Sequence, residues 1–284
     1  MRLLEDFCVR FALGAHRRQS SVVSNQATFS EAAYQAWRLE ELRRQFADNF
    51  DWSILAGKRV FDFGCGTGEL SLLCSQMGAQ AVLGCDLHPE GINQARMRVP
   101  VGTFHIPRST TAIDLPDGSV DVIACFDVLE HIMDHREIFG EWHRILSGGG
   151  RVLIWWSVWR HPYGHHELHV VPVPWVHLLA PMSTLYRACE RVYDSPEFRP
   201  RKWHLNPDGS RKPNPYRGLT EPDDLNKLTI RQAEREFRDV GFRIAAREIQ
   251  PFTGSRLAWL KHLLVKLPVP DPFCSAVIYE LVKR

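Results

Sequence analysis

The stretch VFDFGCGTG, residues 60–68, places an apolar run directly before three glycines that alternate with single residues. The apolar run predicts a buried strand, and GELSLLCSQMG at residues 68–78 predicts a helix that ends at Gly78. Glycines between a strand and a helix permit a tight turn and a close approach to a ligand, and the helix beyond them presents free backbone N–H groups. The stretch therefore predicts a ligand-binding loop in an α/β fold.

Two acidic residues near the loop indicate the kind of ligand. Asp62 stands just before the first glycine, and Asp86 ends the next apolar run, 18 residues after Gly68. A carboxylate at the end of a second strand can accept hydrogen bonds from both hydroxyls of a ribose, so we expect a nucleoside-containing ligand at the carboxyl edge of the sheet. The loop reads G-C-G-T-G instead of the dinucleotide fingerprint G-x-G-x-x-G, and no Gly-Lys-Ser/Thr follows as a P-loop requires.

Apolar runs and helical stretches alternate along most of the chain. Strands that are apolar throughout and alternate with helices indicate a mostly parallel sheet covered by helices on both faces. Beyond the loop, the sequence predicts helices at 28–47, 89–98, from the fourth strand to about 146, and 229–240, and strands at 81–86, 120–126, 151–157, 242–249 and 274–282.

Residues 158–222 interrupt this alternation, with more than half of the prolines and nearly half of the histidines of the chain. A structureless connection of this length is improbable inside a compact core, so we expect an inserted substrate cap with short helices. The expected domains are an N-terminal helical cover at 1–56, a core formed by 57–157 and 223–284, and the cap.

The composition excludes several classes of protein. With 284 residues, 44% hydrophobic residues and a formal net charge of +2, the chain is typical of a folded globular protein and not of a disordered or nucleic-acid-coating one. Its seven cysteines form no C-x-x-C pair, which argues against a disulfide framework or a cysteine zinc site and favours a reducing cytoplasm. No uninterrupted apolar run reaches about 18 residues, so neither a transmembrane helix nor stable membrane association is expected.

Several motifs together resemble those of the class I S-adenosylmethionine-dependent methyltransferases, in particular the small-molecule group that includes the ubiquinone methyltransferases. The similarity covers residues 57–157 and 226–284, and besides VFDFGCGTG it is carried by GCDLHPEGINQAR, AIDLPDGSVDVIACFDVLEHI, RILSGGGRVLI and LTIRQAEREFRDVGFRI. The resemblance implies a Rossmann-like sheet of seven strands, with the seventh, near 274–282, antiparallel between the fifth and the sixth. It also implies S-adenosyl-L-methionine as the cofactor.

The resemblance further implies roles for single residues toward the cofactor. Asp62 would help to hold the amino group, Asp86 the ribose diol, and Leu87 would lie against the adenine. The family usually has an adenine-contacting acid where this chain has Thr111, so a hydrogen bond to the exocyclic amine is in doubt at that position. Gly64, Gly66 and Gly68 would line the methionine part, with Cys65, Ala112 and Phe126 as further cofactor contacts.

The acceptor chemistry points to the start of the cap. Methyl transfer needs in-line alignment of the reactants, and a hydroxyl acceptor also profits from a base, by about 10²–10⁴-fold. Three interpretations of the cap histidines stay open: His165 or His166 is the base, the histidines cap turns, or a divalent metal is bound. The metal alternative, which we do not adopt as the prediction, would use His161, His165, His166, Glu167 and His169.

The resemblance places one more histidine, His131, on the substrate side as a third candidate for catalysis. DNA amino-methylating enzymes carry an Asn/Asp-Pro-Pro-Tyr/Phe signature after the fourth strand, and residues 124–127 here read Ala-Cys-Phe-Asp. We therefore expect a methyltransferase that acts on a small organic acceptor at oxygen, with no nucleic-acid partner. The alternatives are an enzyme that uses S-adenosylmethionine for cyclisation or elimination, and a cofactor-binding module without catalysis.

Overall fold

The computed structural model describes residues 2–18, 31–206, 208–221, 225–252 and 263–284. Six of these residues are described by their backbone alone: Arg18, Glu31, Ala32, His166, Glu167 and Lys202. The chain divides into two compact units. The sheet unit comprises Arg38–Trp159 and Asn226–Arg284, and the helical unit comprises Met1–Trp37 and Arg160–Leu225.

The sheet unit is built on seven strands in the order β3-β2-β1-β4-β5-β7-β6. Neighbouring strands are parallel except for β7, which runs antiparallel between β5 and β6, so the predicted topology is confirmed. The strands are β1 (Arg59–Phe63), β2 (Ala81–Cys85), β3 (Thr103–His105), β4 (Val120–Phe126), β5 (Leu146–Trp156), β6 (Phe242–Pro251) and β7 (Cys274–Lys283).

Helices of the sheet unit pack on both faces of the sheet and bury two apolar clusters. One cluster contains Phe139, Trp142 and Phe237, and the rings of Phe139 and Phe237 lie 4.7 Å apart. The other contains Phe46 and Leu73, both inaccessible to solvent. Because each face is covered, the central strands are apolar at nearly every position, as predicted. The α-helices of the whole chain are α1 (Arg2–Arg18), α2 (Glu31–Asn49), α3 (Glu69–Gln76), α4 (Pro89–Arg98), α5 (His135–Ile145), α6 (Val176–Leu179), α7 (Met182–Asp194) and α8 (Ile230–Asp239).

Three features of the fold differ from the pattern in the sequence. Strand β3 was not predicted because it has only three residues, and helix α1 was not predicted either. Strand β5 begins five residues before the predicted start at 151, because Leu146 pairs with Val120 across an irregularity in the β4–β5 ladder.

The helical unit is organised by α1 and α7. Glu5 on α1 accepts hydrogen bonds from Arg187 and Arg191 on α7, at 3.2 and 2.8 Å. His16, at the other end of α1, is hydrogen-bonded through Nε2 to the carbonyl of Val170. These contacts group α1 with the segment after β5 in one unit. The domain boundary predicted from the sequence lies at residue 56.

Asp62, in the middle of β1, provides a test of how burial controls protonation. Its side chain is buried and accepts a 2.6 Å hydrogen bond from Ser71 Oγ. Burial raises the pKa of this carboxyl to about 7, with Glu69 and Asp86 adding to the effect. Between the ordinary aspartate pKa and pH 7 the folded protein holds a proton that the unfolded chain has lost. The free energy of unfolding should therefore fall as pH rises through this window, by up to about 1.4 kcal/mol per pH unit.

Urea unfolding between pH 5 and 8 measures this effect. Asp62→Asn should flatten the pH dependence, because the amide does not titrate. Asp121→Asn is the matched control: Arg59 holds the pKa of Asp121 well below its ordinary value, so its titration lies outside the window. Parallel curves for the wild-type protein and Asp62→Asn would contradict the raised pKa.

Two glycines within helices allow the effect of close packing on stability to be distinguished from the effect of helix propensity. A Cβ at Gly91 on α4 would stand 2.9 Å from the carbonyl oxygen of Gly66, whereas a Cβ at Gly140 on α5 would meet no atom within 4 Å. Gly140→Ala should raise the free energy of unfolding by about 0.5–1 kcal/mol, because alanine favours helix. Gly91→Ala should lower it by about 1–3 kcal/mol, because the glycine loop must shift. Chemical denaturation of both variants tests the assignment, and equal stabilisation by the two would refute the close approach.

Candidate functional site: a cavity at the carboxyl edge of the sheet

A cavity of about 400 Å³ opens in the sheet unit where β1, β2, β3 and β4 end. Its wall includes Gly64 after β1, Asp86 and Leu87 after β2, His105 at the end of β3, and Val128 after β4. The carboxyl ends of parallel strands are where open α/β sheets bind ligands. The location agrees with the ligand edge predicted from the glycine loop.

The glycine loop takes its shape from positive φ angles. Gly64, Gly66 and Gly68 have φ of 76°, 51° and 84°, a region that residues with a side chain rarely adopt. A Cβ at Gly64 would collide with Val128, and one at Gly68 would come within 2.9 Å of Ala95. The backbone thus approaches its neighbours more closely than a residue with a side chain would allow.

Asp86 connects the loop to the next helix. Its Oδ2 accepts a hydrogen bond from Gly66 N and its Oδ1 one from His88 N, both at 2.9 Å. Each carboxylate oxygen has a second lone pair, so the group can accept two further hydrogen bonds on the cavity side. Leu87 beside it is 58% exposed and also lines the cavity, which leaves an apolar surface next to the carboxylate.

These features fit a nucleoside cofactor. The cavity wall contains a positioned carboxylate for a diol, apolar residues for a base, and Gly64, the first glycine of the loop in front of helix α3. The cavity volume of about 400 Å³ also lies within the range of small-molecule sites.

Six residues assigned to the cofactor are absent from the cavity wall. Besides Asp62, which is bonded to Ser71, they are Cys65, Gly66, Gly68, Thr111 and Phe126. Burial raises the pKa of the Cys65 thiol far above its ordinary value, so the group is a neutral thiol. Ala112 does line the cavity, next to Thr111.

Phe126 and Thr111 turn toward other partners. The ring of Phe126 stacks on that of Phe46, with centroids 6.1 Å apart and planes 6° apart. The Thr111 hydroxyl lies 3.0 Å from Ser109 Oγ, and its backbone N–H donates to the same atom. The roles of Phe126 and Thr111 were predicted from their positions along a motif. Position does not fix where a side chain points, because its direction depends on packing.

The wall after β4 carries His131 and Asp127. His131, a predicted catalytic residue, is exposed and lines the cavity. Asp127 has a φ of 57°, which is strained for a residue with a side chain, and it accepts a 2.6 Å hydrogen bond from Arg38 Nη2 on α2. No pattern in the sequence singled out Asp127 or His105.

The cap histidines belong to the helical unit. His165 is buried, and its Nε2 lies 3.3 Å from the Tyr186 hydroxyl. His161 Nδ1 accepts a hydrogen bond from Tyr163 N at 3.1 Å, and His169 Nε2 lies 2.8 Å from His204 Nε2. A second cavity, of about 330 Å³, is lined by His165, His169 and apolar residues of the same unit.

The metal alternative finds no support among the side chains that the structure describes. Within these residues no group of three or more His, Cys, Asp or Glu side chains could hold a metal ion. The side chains of His166 and Glu167 lie outside the described set, so the base predicted at His166 stays a prediction.

No helix among the described residues is both long enough and apolar enough to span a bilayer.

Comparison with known proteins agrees with this geometry. Residues 61–154 match the family model described as a methyltransferase domain. The chain is 36% identical over 105 residues to a ubiquinone biosynthesis O-methyltransferase of Pseudomonas aeruginosa, covering 35% of this chain and 44% of that protein. It is 33% identical over 134 residues to the protein of the same name in Xanthomonas oryzae, covering 46% and 55%. The matched stretches thus span about half the length of these curated relatives.

The fold is also similar to that of a solved S-adenosylmethionine-dependent methyltransferase from Mesorhizobium loti. The TM-score is 0.52 and the sequence identity 19%, over 86% of this chain and 96% of the other. The glycine loop, the Asp86 carboxylate, the strand order and the matched family model all lead to the same assignment. Residues 61–154 thus carry a methyltransferase domain of the class I S-adenosylmethionine-dependent type.

Proposed function

We propose that this protein transfers the methyl group of S-adenosylmethionine to a small organic acceptor, with a hydroxyl oxygen as the attacked atom. The observation that carries the proposal is the Asp86 carboxylate, held by two backbone N–H groups at the wall of the cavity in front of the glycine loop. The name of the curated relatives, O-methyltransferases of ubiquinone biosynthesis, supports oxygen as the acceptor atom.

The cofactor would supply a methyl group bonded to a sulfonium: an aligned hydroxyl oxygen would bond to the methyl carbon while the carbon–sulfur bond breaks and S-adenosylhomocysteine leaves. The protein's contribution is to hold the nucleoside, to align the acceptor and to take up the proton of the hydroxyl. His131 is our proposed base in the sheet unit, because its side chain is exposed on the cavity wall. His165 and His166 are the proposed bases of the helical unit, on the sequence argument alone.

We also propose a reducing, cytoplasmic location and a small-molecule acceptor in place of nucleic acid. All seven cysteines are buried and free, which supports a location in which thiols stay reduced. The net charge of +2 supports the absence of a nucleic-acid partner.

Asp86→Ala tests the cofactor site. Removal of two charge-assisted hydrogen bonds to a ribose should weaken the binding of S-adenosylhomocysteine by at least tenfold in isothermal titration calorimetry. Asp48→Ala, an exposed aspartate on α2 outside the cavity wall, is the matched control and should bind as the wild type does. An unchanged affinity in a folded Asp86→Ala protein would remove the ribose assignment.

Product analysis and histidine variants test the chemistry. With a suitable acceptor, S-adenosylhomocysteine as the product shows methyl transfer, whereas methylthioadenosine shows that another bond of the sulfonium was broken. Cofactor binding with neither product would favour a binding module.

His131→Ala, His165→Ala and His166→Ala should each be assayed. Loss of the base should lower turnover by about 10²–10⁴-fold and leave S-adenosylhomocysteine affinity nearly unchanged. Full activity in all three would contradict a histidine base.

A further inference from the structure

The segment between β4 and α5 forms one side of the cavity without belonging to either element. Residues 127–134 supply six residues of the cavity wall, among them His131. Leu129–His131 form a single 3₁₀ turn, in which Ile132 N donates a hydrogen bond to the carbonyl of Leu129 at 3.2 Å. So short a turn satisfies few of its own backbone groups, so its conformation depends on partners from elsewhere in the chain.

Asn226 supplies those partners from a distant part of the sequence. Its Nδ2 donates hydrogen bonds to the carbonyls of Leu129 and Ile132, at 2.7 and 2.9 Å. Its backbone N–H donates a third hydrogen bond, to the carbonyl of Glu130 at 2.8 Å. Carbonyls on both sides of His131 in the chain are therefore held by one residue.

The side chain of Asn226 is matched to this place by its amide chemistry. Its Oδ1 accepts a hydrogen bond from Leu228 N at 3.0 Å, while Nδ2 serves the two carbonyls. A flipped amide would direct its oxygen at two carbonyl oxygens and its NH₂ group at an N–H group. Aspartate has neither amide donor and serine has only one hydroxyl donor, so neither residue can form the same set of hydrogen bonds.

The hydrogen bonds of Asn226 bear directly on the place of the His131 imidazole. Leu129 and Glu130 are buried, whereas His131 is exposed on the cavity wall. The direction in which a side chain leaves the backbone is set by the backbone conformation. Because the carbonyls before and after His131 are held, the side chain of His131 leaves the turn in one direction.

We infer that Asn226 is a positioning residue for His131, which holds the turn after β4 so that the imidazole lies in the cavity wall. The inference rests on the proposed function, in which His131 is a proposed base. Asn226 is not among the described residues of the wall, so it acts on the site through the turn and not by contact with a ligand. The chain re-enters the sheet unit at this residue, because the helical unit ends at Leu225.

Asn226→Ser tests the inference by nuclear magnetic resonance. Serine keeps an oxygen that can accept the hydrogen bond from Leu228 N, and it removes the two amide donors. In ¹H–¹³C spectra of protein labelled at histidine, recorded without cofactor, the imidazole signal of His131 is assigned by its absence from His131→Ala. Asn226→Ser should shift this signal and leave that of His143, at the other end of α5, in place.

Asn214→Ser is the matched control because Asn214 forms similar hydrogen bonds in the helical unit. Its Oδ1 accepts from Tyr216 N and its Nδ2 donates to the carbonyl of Glu190, both at 3.0 Å. This variant should leave the His131 signal at its wild-type position. An unshifted His131 signal in a folded Asn226→Ser protein, or an equal shift in both variants, overturns the inference.

A second measurement uses the wild-type protein alone. Both Nδ2 protons of Asn226 are engaged in hydrogen bonds, so they should exchange with water about tenfold more slowly than those of Asn93, which is exposed on α4. Equal exchange rates overturn the inference. Failure of the wild-type protein to bind S-adenosylhomocysteine contradicts the proposed function instead, and because neither measurement on Asn226 needs a cofactor, the two failures are distinguishable.

Discussion

The carboxylate of Asp86 holds together two segments beside the cavity at the carboxyl edge of the sheet. One oxygen binds the backbone N–H of Gly66 in the glycine loop and the other that of His88 at the start of α4. Because α4 in turn passes so close to the loop that Gly91 has no room for a side chain, loop and helix form one packed element. The loop adopts its positive φ angles because glycine has no Cβ, and its contacts with Asp86 and α4 involve both the N–H and the carbonyl of Gly66.

Burial in a low-dielectric environment shifts the pKa values of two side chains near this element. The pKa of Asp62 is raised because its carboxyl is enclosed behind the loop, next to the carboxylates of Glu69 and Asp86. The pKa of His105 is lowered because its ring is partly enclosed at the end of β3. In both cases desolvation favours the neutral form of the side chain.

Much of the architecture was predictable because periodic patterns and special backbone requirements are local. The strand–glycine loop–helix sequence, the start of α8 with its capping box at Thr229, and the alternation of strands and helices follow from residues close together in the chain. The antiparallel β7 was predicted from the resemblance and is confirmed by its pairing with β5 and β6. Strand β3 was missed because three residues carry too little periodicity, and with it His105 was missed.

The sequence alone determined which backbone positions must be glycine and which acid ends the second strand, since these depend on steric limits and spacing within a few tens of residues. The cofactor class was implied by the resemblance of the motifs to those of a known family. The tertiary structure decided where side chains point. Phe126 turns to Phe46, Thr111 turns to Ser109, and His105 lines the cavity beside Asp86. These directions depend on contacts between residues that are distant in the chain, and such contacts exist only after the sheet and its helices have packed.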